Sequence, residues 1–84
     1  MTNHPNRNRP VIDIRYFDGS TYVHERGQIV RSGDGYSPGP EYGVLYHLVD
    51  GRFLGGVRHK DHGDLMTDVT YADTARRAMP QRWR

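Results

Sequence analysis

Between Val11 and Phe17 the chain alternates, with Ile12, Ile14 and Tyr16 apolar and Asp13 and Arg15 charged. A period of two is the signature of a half-buried strand. Asp18-Gly19 follows, a pair suited to the positive φ of a type I′ turn. A two-residue loop there sets Phe17 against Ser20 and Ile14 against Val23. Ile12, Ile14, Tyr16 and Val23 then share one face, while Asp13, Arg15, Tyr22 and His24 share the other. Gly27 is expected to mark a bulge or tight turn, and Gln28 to Arg31 a short further strand.

SGDGYSPGPEYG (32–43) holds four glycines and two prolines, a density that no strand or helix interior tolerates, so it reads as a loop. YGVLYHLV and RFLGGVRH then flank Asp50-Gly51, a second hairpin signal. A two-residue loop sets Leu48 against Phe53 and Val44 against Val57, with Val44, Tyr46, Leu48, Phe53 and Val57 facing the core. Gly55 and Gly56 leave the return strand bare, room for the C-terminal helix or Trp83 to sit close. KDHGD is a turn, and LMTDVTY (65–71) a further strand. Thr70 and Asp73 approximate a capping box. Tyr71, Ala75, Ala78 and Met79 fall on one helical stripe, and Pro80 ends it.

The expected fold is α+β: a small antiparallel sheet of about four to five strands, built from two β-hairpins, with one C-terminal helix packed on a face. Residues 1–10 read as a disordered basic arm, 11–80 as a single domain and 81–84 as a basic tail. From Gly43 onward, the order of three strands and a helix is similar in outline to the sheet-plus-helix DNA-binding domains of phage integrases. GVLY, DGRF, the glycine-broken return strand and the alanines of ADTARRA carry that resemblance. It implies basic side chains on the sheet, whereas these strands hold as many acids as bases.

With 84 residues there is room for one core only. Val, Ile, Leu and Phe number sixteen, about the minimum for a globular interior, and six tyrosines supply much of the remainder. A core so small is also compatible with a homodimer. The absence of cysteine excludes disulfides and thiolate metal sites. Without a long apolar run or a secretory h-region, neither a membrane span nor export is expected, and the compartment reads as cytoplasmic.

The net charge of +2 conceals an uneven layout. Residues 10–74 carry all ten acids and six of the twelve bases, so the body is near −4 and the two ends near +6. Eleven of the twelve bases are arginine, the better residue for bidentate and stacked contacts.

Little in this chain reads as catalytic. The serines lie in turns without a nucleophile-elbow context, and SGDGYSPG lacks the lysine of a phosphate loop. His59 and His62, with Asp61 and Asp64, have zinc-like spacing, yet they read as a solvated turn, so neither a metal nor another cofactor is expected. The expectation is a non-enzymatic protein-binding module, a small regulator or inhibitor of the kind that phage and other mobile elements encode. Its candidate contact residues are Tyr36 and Tyr42 in the loop, Arg76 and Arg77 on the helix, and Arg82, Trp83 and Arg84 in the tail, since tryptophan, tyrosine and arginine dominate binding hot spots. Tyr22, His24 and Arg15 on the open sheet face also suit an interface. DNA or RNA binding through the arginine-rich termini is the alternative.

Overall fold

The computed structural model describes residues 8–33 and 39–81. Five strands follow one another as an antiparallel meander, each paired with the next: β1 (Ile12–Phe17), β2 (Tyr22–Ser32), β3 (Glu41–Leu48), β4 (Phe53–His59) and β5 (Met66–Ala72). A single helical turn, α1 (Ala75–Ala78), ends the fold. The α+β architecture therefore holds. Both expected hairpins are present, but as parts of one continuous meander rather than as separate units.

The sheet curls until its two edge strands meet. Phe17 bridges to Leu65 in parallel, and the Phe17 N–H donates to the Asp64 carbonyl at 2.9 Å. Arg58 adds a second tie, its Nη2 donating to the Arg15 carbonyl at 3.0 Å. The inward side holds the core: Ile14, Tyr16, Val44, Tyr46, Leu48, Leu54 and Met66. Curling lets one small sheet bury this side against itself, where a flat sheet would need a second layer. β2 passes from β1 to β3 at Gly27, which pairs with Ile12 on one side and Leu48 on the other. A Cβ on Gly27 would lie 2.4 Å from the His47 carbonyl oxygen, so the close approach requires glycine.

The first turn differs from expectation in length. Asp18 to Thr21 form a four-residue loop, and Phe17 pairs with Tyr22 rather than facing Ser20. The Asp18 carboxylate accepts the N–H groups of Ser20 and Thr21, both at 2.9 Å, which stabilises the wider loop. The pairing moves by two residues, so Ile14 opposes Glu25 instead of Val23 and every side chain keeps its face. β2 then runs unbroken through Gly27, and its irregularity falls between Ile29 and Arg31. It extends to Ser32, and β3 begins at Glu41, so Tyr42 and Gly43 belong to a strand and not to the loop.

The second turn differs by one residue, with larger consequences. Val49 to Gly51 form a three-residue loop: the Leu48 N–H donates to the Arg52 carbonyl at 2.8 Å, and Gly51 takes φ +97°. Phe53 consequently pairs with His47 on the outer face, their rings stacked 4.2 Å apart, and Leu54 occupies the core position beside Tyr46. Val57 likewise faces outward, paired with Gly43. Leu45, Val57 and Ala78 are buried on that outer side, where α1 lies.

α1 starts later than the sequence pattern suggests. β5 continues through Tyr71 and Ala72, which removes the Thr70 capping box, and Thr74 is the N-cap, accepting the Arg77 N–H at 3.3 Å. Tyr71 leaves the helical stripe because its hydroxyl is bonded across the sheet, to Glu25 and Tyr16 at 2.7 Å each. The expected close approach over bare backbone is present at Gly55, where a Cβ would meet the Ala78 carbonyl. Gly56 instead backs onto the Met66 side chain.

Candidate functional site

Three surfaces carry the polar and aromatic groups: the outer face of β1–β2 and the two mouths of the curled sheet. On the outer face the pairing sets Phe17 against Tyr22, Arg15 against His24 and Asp13 against Arg26. Tyr22 is 75 % exposed, with its ring 4.9 Å from that of Phe17. The Asp13 carboxylate lies 3.0 Å from His24 Nε2 and 3.7 Å from Arg26 Nε. The hydrogen bond from His24, reinforced by the charges of His24, Arg26 and Arg15, holds the Asp13 carboxyl below its ordinary range.

The mouth beside the β3–β4 turn is closed by internal bonds. Tyr71 donates to Glu25, so Tyr16 donates in turn to Tyr71. Arg52 lies over the Tyr71 ring at 4.7 Å and reaches Asp50 at 2.7 Å and Glu25 at 3.7 Å. Burial raises the Tyr71 phenol far above its ordinary value, and the bonds to Tyr16 and Glu25 add to the rise. These groups are engaged with one another and lock the seam between β1 and β5.

At the opposite end of β4, Arg58 spans the sheet. Its Nε donates to the Tyr46 hydroxyl at 3.2 Å, and its Nη1 to the Asp64 carbonyl at 3.4 Å. Here the inner surface opens into a hollow of about 200 Å³. Neither Arg58 nor Tyr46 stands out in the sequence, because the hairpin pattern places one outside and the other in the core. Only the one-residue slip of β4 brings them to the same side.

The sequence-derived candidates scatter. Tyr42 is half-buried against the core and lines the Arg58 hollow. Arg76 and Arg77 are exposed on α1, on the other side of the sheet, and Arg77 sits 3.8 Å from Asp73. The fold therefore does not bring Tyr42 together with Arg76 and Arg77. Tyr36, Arg82, Trp83 and Arg84 lie outside the described residues. His59 contacts Thr67 Oγ1 at 3.3 Å and Glu41 at 3.7 Å, and its ring meets that of His62 edge-on at 5.6 Å. Among the described residues, no three His, Asp or Glu side chains converge in a way that could hold a metal ion, and no helix is long and apolar enough to cross a membrane.

Compared with known proteins, the chain matches no family model, no curated protein and no solved structure. The residues themselves are what bear on its role.

Proposed function

We propose that the chain is a non-enzymatic binding module whose partner is another protein, engaged first through the outer face of the β1–β2 hairpin. The observation that carries this reading is Tyr22, a large ring 75 % exposed on a strand whose backbone is fixed by the ladder to β1. An aromatic held outward on a rigid element loses little conformational freedom when a partner covers it. The arginines beside it complete the residue set typical of hot spots.

A protein is favoured over nucleic acid because of how charge is placed on this face. Asp13 stands between His24 and Arg26 and uses their charge locally. A phosphate backbone approaching here would meet a carboxylate, whereas a protein surface of mixed polarity can match both signs. Arg76, Arg77 and the Arg82-Trp83-Arg84 tail would supply surrounding contacts of near-neutral energy under the same reading.

Alanine scanning of a partner captured by the full chain tests the proposal, run beside DNA anisotropy at about 50 and 200 mM salt, the range over which phosphate contacts reveal themselves. The expected result is loss of capture with Tyr22→Ala and Arg15→Ala and near-neutral behaviour of Arg76→Ala. Salt-sensitive DNA binding that weakens with Arg76→Ala and Arg77→Ala, and not with Tyr22→Ala, would replace this reading with the nucleic-acid one.

A further inference from the structure

The hollow at the Arg58 mouth is walled by Ile29, Arg31 and Ser32 of β2, Tyr42, Val44 and Tyr46 of β3, and Arg58 of β4. Two cations line it, Arg31 and Arg58, and Arg58 is the one that spans the sheet. The guanidinium donates to three oxygens, the Tyr46 hydroxyl and the carbonyls of Asp64 and Arg15, and all three are neutral. Among the described residues no carboxylate lies within ion-pairing distance of it, although Asp13, Glu25, Glu41, Asp50 and Asp73 each have a cationic or histidine neighbour. A guanidinium carries five N–H donors. Three are used, which leaves one on each terminal nitrogen.

Tyr46 has a matching vacancy. Its hydroxyl accepts from Arg58, so its own O–H remains to be donated, and no described residue accepts it. The side chain is only 6 % exposed and lines the hollow, so this donor is confined to that space. Among the described residues, a partly buried cation without counter-charge and a buried hydroxyl without an acceptor thus converge on one solvent-open pocket. An anion supplies what both lack.

We propose that this hollow is a carboxylate-binding subsite, filled by an acidic side chain of a partner protein. Ile29 and Val44 give it apolar walls that suit the methylene stem of such a side chain, and about 200 Å³ is more than a bare ion needs. That the carboxylate belongs to a protein rests on the function proposed above. That the hollow takes a carboxylate does not.

The test is a ¹H–¹⁵N NMR titration of the full chain with N-acetylglutamate, with N-acetylglutamine as the neutral isostere and inorganic phosphate as the competing anion. Saturable shifts are expected at the amides of Ile29, Ser32, Val44 and Arg58 and at the Arg58 Nε–H, with a Kd on the order of 1–10 mM for a few charge-assisted bonds. N-acetylglutamine leaves these signals unmoved. Arg58→Gln abolishes the shifts. Because Arg58 also ties β4 to β1, Tyr46→Phe provides the independent check: it deletes only the hydroxyl and is expected to weaken binding several-fold. Equal shifts with the neutral isostere, no localised shifts, or unchanged affinity in Tyr46→Phe each overturn the subsite. Phosphate binding roughly tenfold tighter than the carboxylate reassigns the hollow to phosphate and sinks the carboxylate proposal. None of these outcomes depends on Tyr22, so failure of the hairpin reading and failure of the subsite are separately visible.

Discussion

Gly27→Ala is the sharpest test of how the sheet curls. The added methyl would sit 2.4 Å from the His47 carbonyl oxygen and 2.8 Å from the Leu48 Cα, both backbone atoms of the partner strand. Neither can rotate away, so β2 and β3 must separate by about an ångström to reach ordinary contact. Next to this point the Val49 N–H donates to the Arg26 carbonyl at 3.0 Å, and Gln28 pairs with His47. Stretching two such ladder bonds costs about 1 kcal/mol each, and crowding a packed site adds about 1–3 kcal/mol. The smaller entropy of the unfolded alanine chain returns at most about 1 kcal/mol. The net loss is about 3 kcal/mol, a fall in Tm of roughly 12–24 °C for a domain of this size. Thermal melts by circular dichroism read it, with Gly39→Ala as the control because a Cβ there meets no atom of the described residues within 4 Å. If the two variants melt together, the close approach of β2 to β3 at Gly27 is not what shapes the sheet.

Other perturbations follow from single groups. The backbone N–H groups of Thr21 and Ser20 hold the Asp18 carboxyl below its ordinary 3.8, and the Arg52 hydrogen bonds do the same for Asp50. The folded protein therefore resists protonating them, their stabilisation is present above that value, and it fades as pH falls through the lower folded values. A denaturant series below pH 4 is expected to show this loss, and Asp18→Ala to show a shallower one; an unchanged slope contradicts the loop assignment. Tyr71 behaves oppositely at the alkaline end. Its phenol is raised above 10.0 in the fold, so stability is complete below that pH and is lost above it. Tyrosinate absorbance should show one phenol ionising together with unfolding, and Tyr71→Phe should remove that coupling. His47→Phe deletes a buried Nε2 that has no hydrogen-bond partner among the described residues, while preserving a ring against Phe53. The melting temperature is expected to hold or rise, and a loss above about 1 kcal/mol would mean that the nitrogen is satisfied in solution.

The limits of the sequence pattern are physical and can be located. Alternation assigned Ile12, Ile14, Tyr16 and Val23 to one face, and the two-residue change in the first turn left that assignment intact, because strand faces repeat every two residues. The second hairpin had no such protection. α1 covers the outer side, so Val44 to Leu48 are buried on both faces and present no alternation. In FLGGVRH, Phe53 and Val57 fit one parity and Leu54 the other, with Arg58 counting against an inward role for the latter. The three-residue loop decided the matter for Leu54, and it carried Arg58 inward with it. The hollow was therefore illegible for the same reason as the register. The outer face of β1–β2 was legible because it is exposed, and its polar alternation is undisturbed.

The two mouths of the sheet are each crossed by one arginine, and they differ in counter-charge. Arg52 has Asp50 and Glu25 beside it, while Arg58 has none among the described residues. If that asymmetry leaves Arg58 open to an external anion, an internal carboxylate should occupy the same position. Ile29 offers the place: it lines the Arg58 hollow and is 43 % exposed, so little apolar burial is forfeited by replacing it. Ile29→Glu is expected to be more stable than the isosteric Ile29→Gln by up to about 1 kcal/mol, the scale of a half-exposed pair. The margin should narrow with added salt and vanish when Arg58 is changed to Gln. The same variant should no longer respond to N-acetylglutamate, because its own side chain fills the site. Equal stability of the Glu and Gln variants at low salt would mean that the neutral oxygens around Arg58 already satisfy it, and the case for an anion in the hollow would fail with it.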